Sequence, residues 1–207
     1  GIAQADGSIR MRVRVVPDAW PVLLETEGEA RIEGDKPLYD GLFTFTALSD
    51  NGPGGVVSEK PLVVAKGDFA ATNERLTIEQ WRAEIGFSTD PYIVTGQATI
   101  DTGPDPEFLL LADGQQIDMN RLAGEETAPD GAETAAVPLG ERLAIINAMI
   151  DRLPPPPLPG RISLNLPAIV AGDTTLREIS LEARPDGNAW LVDSFSANLP
   201  GRTTVEA

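Results

Sequence analysis

The sequence predicts a mainly β protein, an antiparallel meander carrying one amphipathic helix at about residues 139–153. Three observations lead there. Apolar and polar side chains alternate with period two along much of the chain, and tight-turn dipeptides recur between the alternating blocks. Glycine (20) and proline (18) are plentiful while aromatic residues make up only 5% of the chain, a balance suited to many short strands joined by turns.

The first clear element is Arg10–Val15, with Met11, Val13 and Val15 on one face and Arg10, Arg12 and Arg14 on the other. A strand half-buried on one side requires that alternation. Gly28-Glu-Ala-Arg-Ile-Glu-Gly34 reads as a small-residue strand running into a turn. It is echoed loosely at Gly96–Gly103 and at Leu181–Gly187, although any meander reuses similar strand-turn chemistry. Leu42–Leu48 sets Phe43, Phe45 and Ala47 against Thr44 and Thr46, and Arg75–Trp81 carries Leu76 and Ile78 on its apolar side. Tyr92–Asp101, Glu107–Leu111, Ile162–Leu166, Leu176–Arg184 and Trp190–Leu199 are further strands, and Thr203–Ala207 begins another. Asp6-Gly7, Asp50-Asn51-Gly52, Asp113-Gly114 and Asp186-Gly187 supply the positive-φ residues that tight hairpins need. Connections this short make neighbouring strands antiparallel.

Two segments interrupt the strand rhythm. Residues Ala123–Ala136 are rich in Glu, Ala, Gly and Thr, almost without large apolar side chains, and read as a flexible acidic loop. Leu139, Leu143, Ile146, Ile150 and Leu153 then share one helical face, with Pro138 in a first turn that tolerates it and Pro154 ending the helix. Pro154–Pro157 with Pro159 form a stiff extended spacer. The organisation is therefore a β-meander over 1–122, the acidic loop over 123–136, and a helix, proline spacer and strand unit over 137–207 that continues the same sheet. Leu-Pro-Gly-Arg occurs at 158–161 and again at 199–202. The start at Gly1 without Met, and an end inside a strand pattern, read as a piece of a longer strand-repeating protein.

Composition narrows the function. Sixteen basic against 32 acidic residues leave a formal net charge of −16, which repels phosphate backbones, so no nucleic-acid partner is expected. The same charge argues against attachment to anionic lipid through basic patches. Without Cys or His there is no disulfide framework, thiolate nucleophile, imidazole base or Cys/His metal site. No metal or cofactor is expected.

Each remaining chemical motif has an ordinary structural reading. Asp101-Thr102-Gly103 is the tripeptide with which aspartic proteases present a carboxylate, but that chemistry needs two carboxylates sharing a proton. No second Asp-Thr-Gly or Asp-Ser-Gly occurs, so only a dimer could complete the dyad, and a hairpin closing at Gly103 accounts for the motif. Gly52-Pro53-Gly54-Gly55 lacks the Lys-Ser/Thr and the following helix of a phosphate loop. Asp101, Asp105, Glu107 and Asp113 do not have the spacing of a calcium loop and read as a solvated acidic rim. Arg10, Arg12 and Arg14 read as a solvent face paired with acidic residues of a neighbouring strand.

Tyr92-Ile-Val-Thr-Gly96-Gln-Ala-Thr-Ile100, Phe108-Leu-Leu-Leu-Ala112 and Ile117-Asp118-Met119-Asn120-Arg121-Leu122 resemble a block of the AsmA family. The Pro-Leu helix, Thr175–Ala183, Trp190–Ala197 and Leu199-Pro-Gly-Arg202 are similar in style to the same family. The resemblance covers the second half to two-thirds of the chain through degenerate phrases. It implies a curved sheet forming an open, taco-like β-groove with an apolar lining, in the periplasm of Gram-negative bacteria. It further implies an inner-membrane anchor outside this segment, and bridging of phospholipid between inner and outer membranes in support of outer-membrane integrity. No enzyme activity and no catalytic residue is carried over. The expected partners are a phospholipid or other acyl-chain lipid and the rest of the same polypeptide.

On this reading Tyr92, Val94, Ile100, Ile162, Leu164, Leu166, Ile179 and Leu181 share one alternation face and line the groove, and the helix buries its Leu/Ile stripe against the sheet. The rival readings are a closed β-sandwich binding module of a surface or secreted protein and, more distantly, a dimeric aspartic protease acting through Asp101.

Overall fold

The computed structural model describes residues 1–3, 7–18, 21–47, 63–85, 91–118, 155–171, 174–187, 189–200 and 203–206. Among these every regular element is a strand: β1 Ile2–Ala3, β2 Ile9–Val15, β3 Val22–Glu33, β4 Lys36–Ala47, β5 Val63–Ala71, β6 Arg75–Ile85, β7 Tyr92–Asp101, β8 Glu107–Gly114, β9 Ile117–Asp118, β10 Gly160–Ala171, β11 Thr174–Asp186, β12 Ala189–Leu199 and β13 Thr203–Glu206. The loop of 123–136 and the helix at 139–153 lie outside the described residues.

All of the strands belong to one sheet, in sequence order from β1 to β8 and from β10 to β13, with β9 beside β10 off that path. Its two ends are not paired with each other, so the sheet is open. Neighbours from β1 to β8 and from β10 to β13 are antiparallel.

The antiparallel pattern is broken at one seam. Gly160–Asn165 of β10 runs parallel to Phe108–Asp113 of β8, and Ile169–Val170 runs parallel to Ile117–Asp118 of β9. Parallel neighbours cannot be joined by a hairpin and need a crossover of a dozen residues or more. Residues 119–159 are long enough to supply it. Pairing starts where the proline spacer ends, with Phe108 N donating to Pro159 O at 3.0 Å.

Positive-φ glycines account for three of the connections. Gly7 (φ 85°) lies between β1 and β2, Gly34 (φ 66°) sits in the two-residue turn joining Glu33 to Lys36, and Gly187 (φ 63°) follows Asp186 between β11 and β12. Asp113-Gly114 is a correction: both residues lie inside β8, and Gly114 has no positive φ. A Cβ on Gly114 would strike Leu166 Cδ2, so this glycine makes room for a neighbour. Likewise the first Leu-Pro-Gly-Arg leads into β10, whereas in the second Leu199 ends β12 and Pro200 begins a turn.

Three bulges interrupt the ladders. An extra residue of β6 falls between Ile78 and Trp81, felt against both β5 and β7; one in β11 falls between Arg177 and Ser180, and one in β12 at Asp193. Bulges bend a strand and increase its local twist. Glu178, inside the β11 bulge, holds φ 52°, a region costly for a side-chain-bearing residue, and its Oε2 accepts from Asn198 Nδ2 at 2.5 Å. Glu178→Gly is expected to raise stability by about 0.5–1 kcal/mol in urea unfolding, relief of strain outweighing one exposed hydrogen bond.

Candidate functional site: a one-sided apolar sheet face

Strict alternation in register sorts side chains onto two unlike faces. On one, a row crosses the sheet through Val13, Thr26, Phe43, Gly67, Trp81, Gly96, Ala112, Leu164, Leu181 and Phe195. The row on one side of it runs Val15, Leu24, Phe45, Ala65, Ala83, Val94 and Gly114. The row on the other side runs Met11, Gly28, Gly41 and Phe69 and resumes past the β6 bulge as Ile78, Ala98, Leu110, Ile162, Ala183 and Val192. None of these residues is charged.

The buried apolar residues, Val22, Ala47, Val63, Phe69, Trp81, Ala83, Phe108, Ala112, Leu166, Ala168, Ile179, Ala183 and Ala197 among them, lie on this face. Leu23 is the exception: it is buried on the opposite face together with its partner Thr46. The register brings Tyr92, Val94, Ile100, Ile162, Leu164, Leu166, Ile179 and Leu181 together on the apolar face: Val94 abuts Gly114, Ile100 abuts Phe108, Ile162 abuts Leu110, and Leu164 and Leu166 abut Leu181 and Ile179. Leu166 and Ile179 are buried and the other six half-buried.

Glycines on this face seat large side chains of the strand beside them. A Cβ on Gly67 would lie 2.9 Å from Phe43 Cε1, one on Gly96 would lie 2.8 Å from Trp81 Cζ2, and one on Gly160 would collide with the Phe108 ring. Each glycine is the direct register partner of the aromatic it accommodates. The rings therefore lie across the neighbouring strand, which keeps the face low and continuous. Sequence reasoning missed these seats, because each depends on a pairing between distant residues.

Polar atoms on this face are handled locally. Thr26 Oγ1 and Tyr39 OH hydrogen-bond at 2.8 Å, and the Tyr39 ring meets Phe69 edge-on at 4.9 Å. Tyr92 OH donates to Asp118 O at 2.7 Å and accepts from Asp118 N at 3.1 Å, tying β9 to β7. Trp81 Nε1 differs: it is buried and has no hydrogen-bond partner among the described residues.

The opposite face is charged. One row reads Arg14, Glu25, Thr44, Lys66, Arg82, Thr95, Asp113, Asn165, Ser180, Ser196 and Glu206. The arginine stripe of β2 pairs across the strand, Arg12 with Glu27 at 2.9 Å and Arg14 with Glu25 at 3.8 Å. Arg31 binds Asp40, and Arg184 meets Asp193 at 2.9 Å. Apart from the half-buried Arg31–Asp40 pair, these are exposed and individually weak. Arg12→Ala is expected to cost less than about 1 kcal/mol, with the difference shrinking further when unfolding is repeated in high salt.

Asp101 ends β7 on the charged face, where Arg75 Nε donates to its Oδ1 at 2.6 Å. Thr102 N and Oγ1 bond the carbonyls of Glu74 and Asn73 at 2.9 and 3.2 Å, docking this turn on the β5–β6 turn. The hydrogen bond to Asp101, and then its charge, raise the Arg75 guanidinium above its ordinary pKa. Because the folded-state value is raised, the contribution that depends on the guanidinium's proton is fully present at neutral pH and falls only as that proton is lost in strong alkali. Asp101→Asn is therefore expected to leave the pH profile of unfolding unchanged between about pH 6 and 9.

A hollow of about 330 Å³ at the β8–β9 break is lined by Asp113, Asn165, Glu178 and Ser180 together with Leu166 and Ile179. Among the described residues no group of three or more Asp or Glu is arranged to hold a metal ion. No family model, curated protein or solved structure matches the chain.

Proposed function

We propose that this chain is a non-enzymatic, lipid-binding segment of an AsmA-like protein. It lies in the periplasm, its inner-membrane anchor lies outside this segment, and its apolar face carries phospholipid acyl chains between inner and outer membranes. The observation that carries this reading is the uncharged face running across successive strands of one open sheet while the reverse face is charged. Burial of apolar area on acyl chains is favourable at about 25 cal/mol per Å², and an uncharged face imposes no cost of stripping water from ions. The sheet curves into a groove, with the bulges of β6, β11 and β12 providing the bends.

A closed sandwich would cover the same face with a second layer of its own and leave no surface for lipid. The two readings separate by a pair of variants. Leu164→Glu places a charge in the central apolar row, and Leu109→Glu places one on the charged face, where Leu109 is already 44% exposed. Binding of a fluorescent phospholipid is expected to fall at least tenfold in Leu164→Glu and to stay unchanged in Leu109→Glu. Absence of binding by the unmodified chain, or equal loss in both variants, would contradict the proposal.

A further inference from the structure

Trp81 is 9% exposed, and its indole N–H is a buried donor that finds no acceptor among the described residues. Such a donor costs about 1–3 kcal/mol, so an unpaired one calls for an explanation. Its described cross-strand neighbours offer it no acceptor. Across the strands it faces Gly67 and Gly96, which have no side chains, and the hydroxyls of Thr26, Tyr39 and Tyr92 on the same face are already engaged elsewhere. A buried water needs two to four polar contacts, and the apolar rows around Trp81 are poor in them. An acceptor attached to an apolar body suits this location.

Its charge state follows from the same map. The row through Trp81 and the rows on both sides of it contain no Lys or Arg, so a carboxylate or phosphate placed there would be buried without a counterion. A neutral carbonyl can accept one N–H bond at little desolvation cost. We infer that Trp81 Nε1 is a polar anchor for the ester carbonyl of an acyl chain lying on the apolar face. The inference rests on the lipid-binding reading and adds a contact that sets register and chemical preference: esters bind better than ethers or free fatty acids of equal length.

The test uses the whole chain, labelled with ¹⁵N in its indoles, and three probes: 1-lauroylglycerol, its 1-O-dodecyl ether and laurate. The Trp81 indole signal is assigned by its loss in Trp81→Phe, with the Trp20 and Trp190 signals as internal references. The ester is expected to bind about tenfold more tightly than the ether and to move the Trp81 indole proton downfield. The ether binds without that shift, laurate binds more weakly than the ester, and Trp81→Phe abolishes the ester–ether difference while retaining ether binding. Equal ester and ether affinity without an indole shift, or a difference that persists in Trp81→Phe, overturns the anchor and leaves lipid binding standing. Binding of none of the probes overturns both. Should Trp81→Phe not fold, the downfield shift and the ester–ether ratio of the unmodified chain still decide the matter.

Discussion

Trp81→Ala is expected to lower the unfolding free energy by about 3–5 kcal/mol, the largest loss of any single truncation in the sheet. Trp81 sits at the centre of a cluster with Ala47, Val63, Ala83 and Ala112, against which Phe43, Phe45, Ile78, Val94, Leu110 and Leu164 pack. The other buried members, Ala47, Val63, Ala83 and Ala112, are too small to fill the space the indole would vacate. A cavity that cannot collapse is the costly kind. Urea unfolding followed by far-ultraviolet circular dichroism measures the effect. Trp81→Phe separates packing from polarity, because it keeps most of the ring and removes the unpaired donor. It should cost far less than the alanine variant.

Gly96→Val is expected to be nearly as damaging, at about 3 kcal/mol or more, for the opposite reason. A Cβ at this position meets the Leu111 carbonyl oxygen on β8 and Trp81 Cζ2 on β6 at 2.8 Å. Side-chain rotation relieves the second contact but not the first, since a backbone carbonyl moves only if β7 and β8 separate. The result should be a lower urea midpoint with altered indole fluorescence. In the double variant Trp81→Phe/Gly96→Ala the smaller ring relieves only the side-chain part of the clash. The two changes should therefore couple, their combined cost falling below the sum of the separate ones.

These two residues also show where the fold was and was not legible. Tyr92–Asp101 spans the same residues as β7, and Arg10–Val15 falls within β2, because Tyr92, Val94 and Ile100 share one face of the first and Met11, Val13 and Val15 alternate with arginines in the second. β5, Val63–Ala71, was invisible, and β3, Val22–Glu33, was legible only in its Gly28–Gly34 half. Their apolar-face positions include Thr26, Gly28 and Ala30 in β3 and Ala65 and Gly67 in β5, residues too small to register as hydrophobic alternation. In the sheet those small residues are what the design needs, since Gly67 makes room for Phe43 as Gly96 does for Trp81. The seats pair residues such as Phe108 and Gly160, far apart in the chain, and no local pattern records such a pairing. The parallel β8–β10 seam was hidden for the same reason. Short connections imply antiparallel neighbours, and only the long interval before Gly160 permits the alternative.

The candidate surface was more readable than the topology that builds it. Alternation alone placed eight residues on a common face, and register needed only to align the strands that carry them. The charged reverse face was likewise foreshadowed at Arg12 and Arg14, which find Glu27 and Glu25 across the strand. What alternation could not foresee was the unpaired Trp81 N–H. Arg75–Trp81 ended there as a strand pattern, and whether a tryptophan donor finds an acceptor depends on which residues the neighbouring strands place beside it.

The central claim is that the uncharged face of this open sheet is a lipid surface. Native mass spectrometry of the chain purified from a Gram-negative host without added detergent tests it most directly. The account predicts mass increments of intact phospholipids, released by gentle activation and lost in Leu164→Glu but not in Leu109→Glu. A lipid-free monomer of full secondary structure would contradict it and favour a surface closed upon itself.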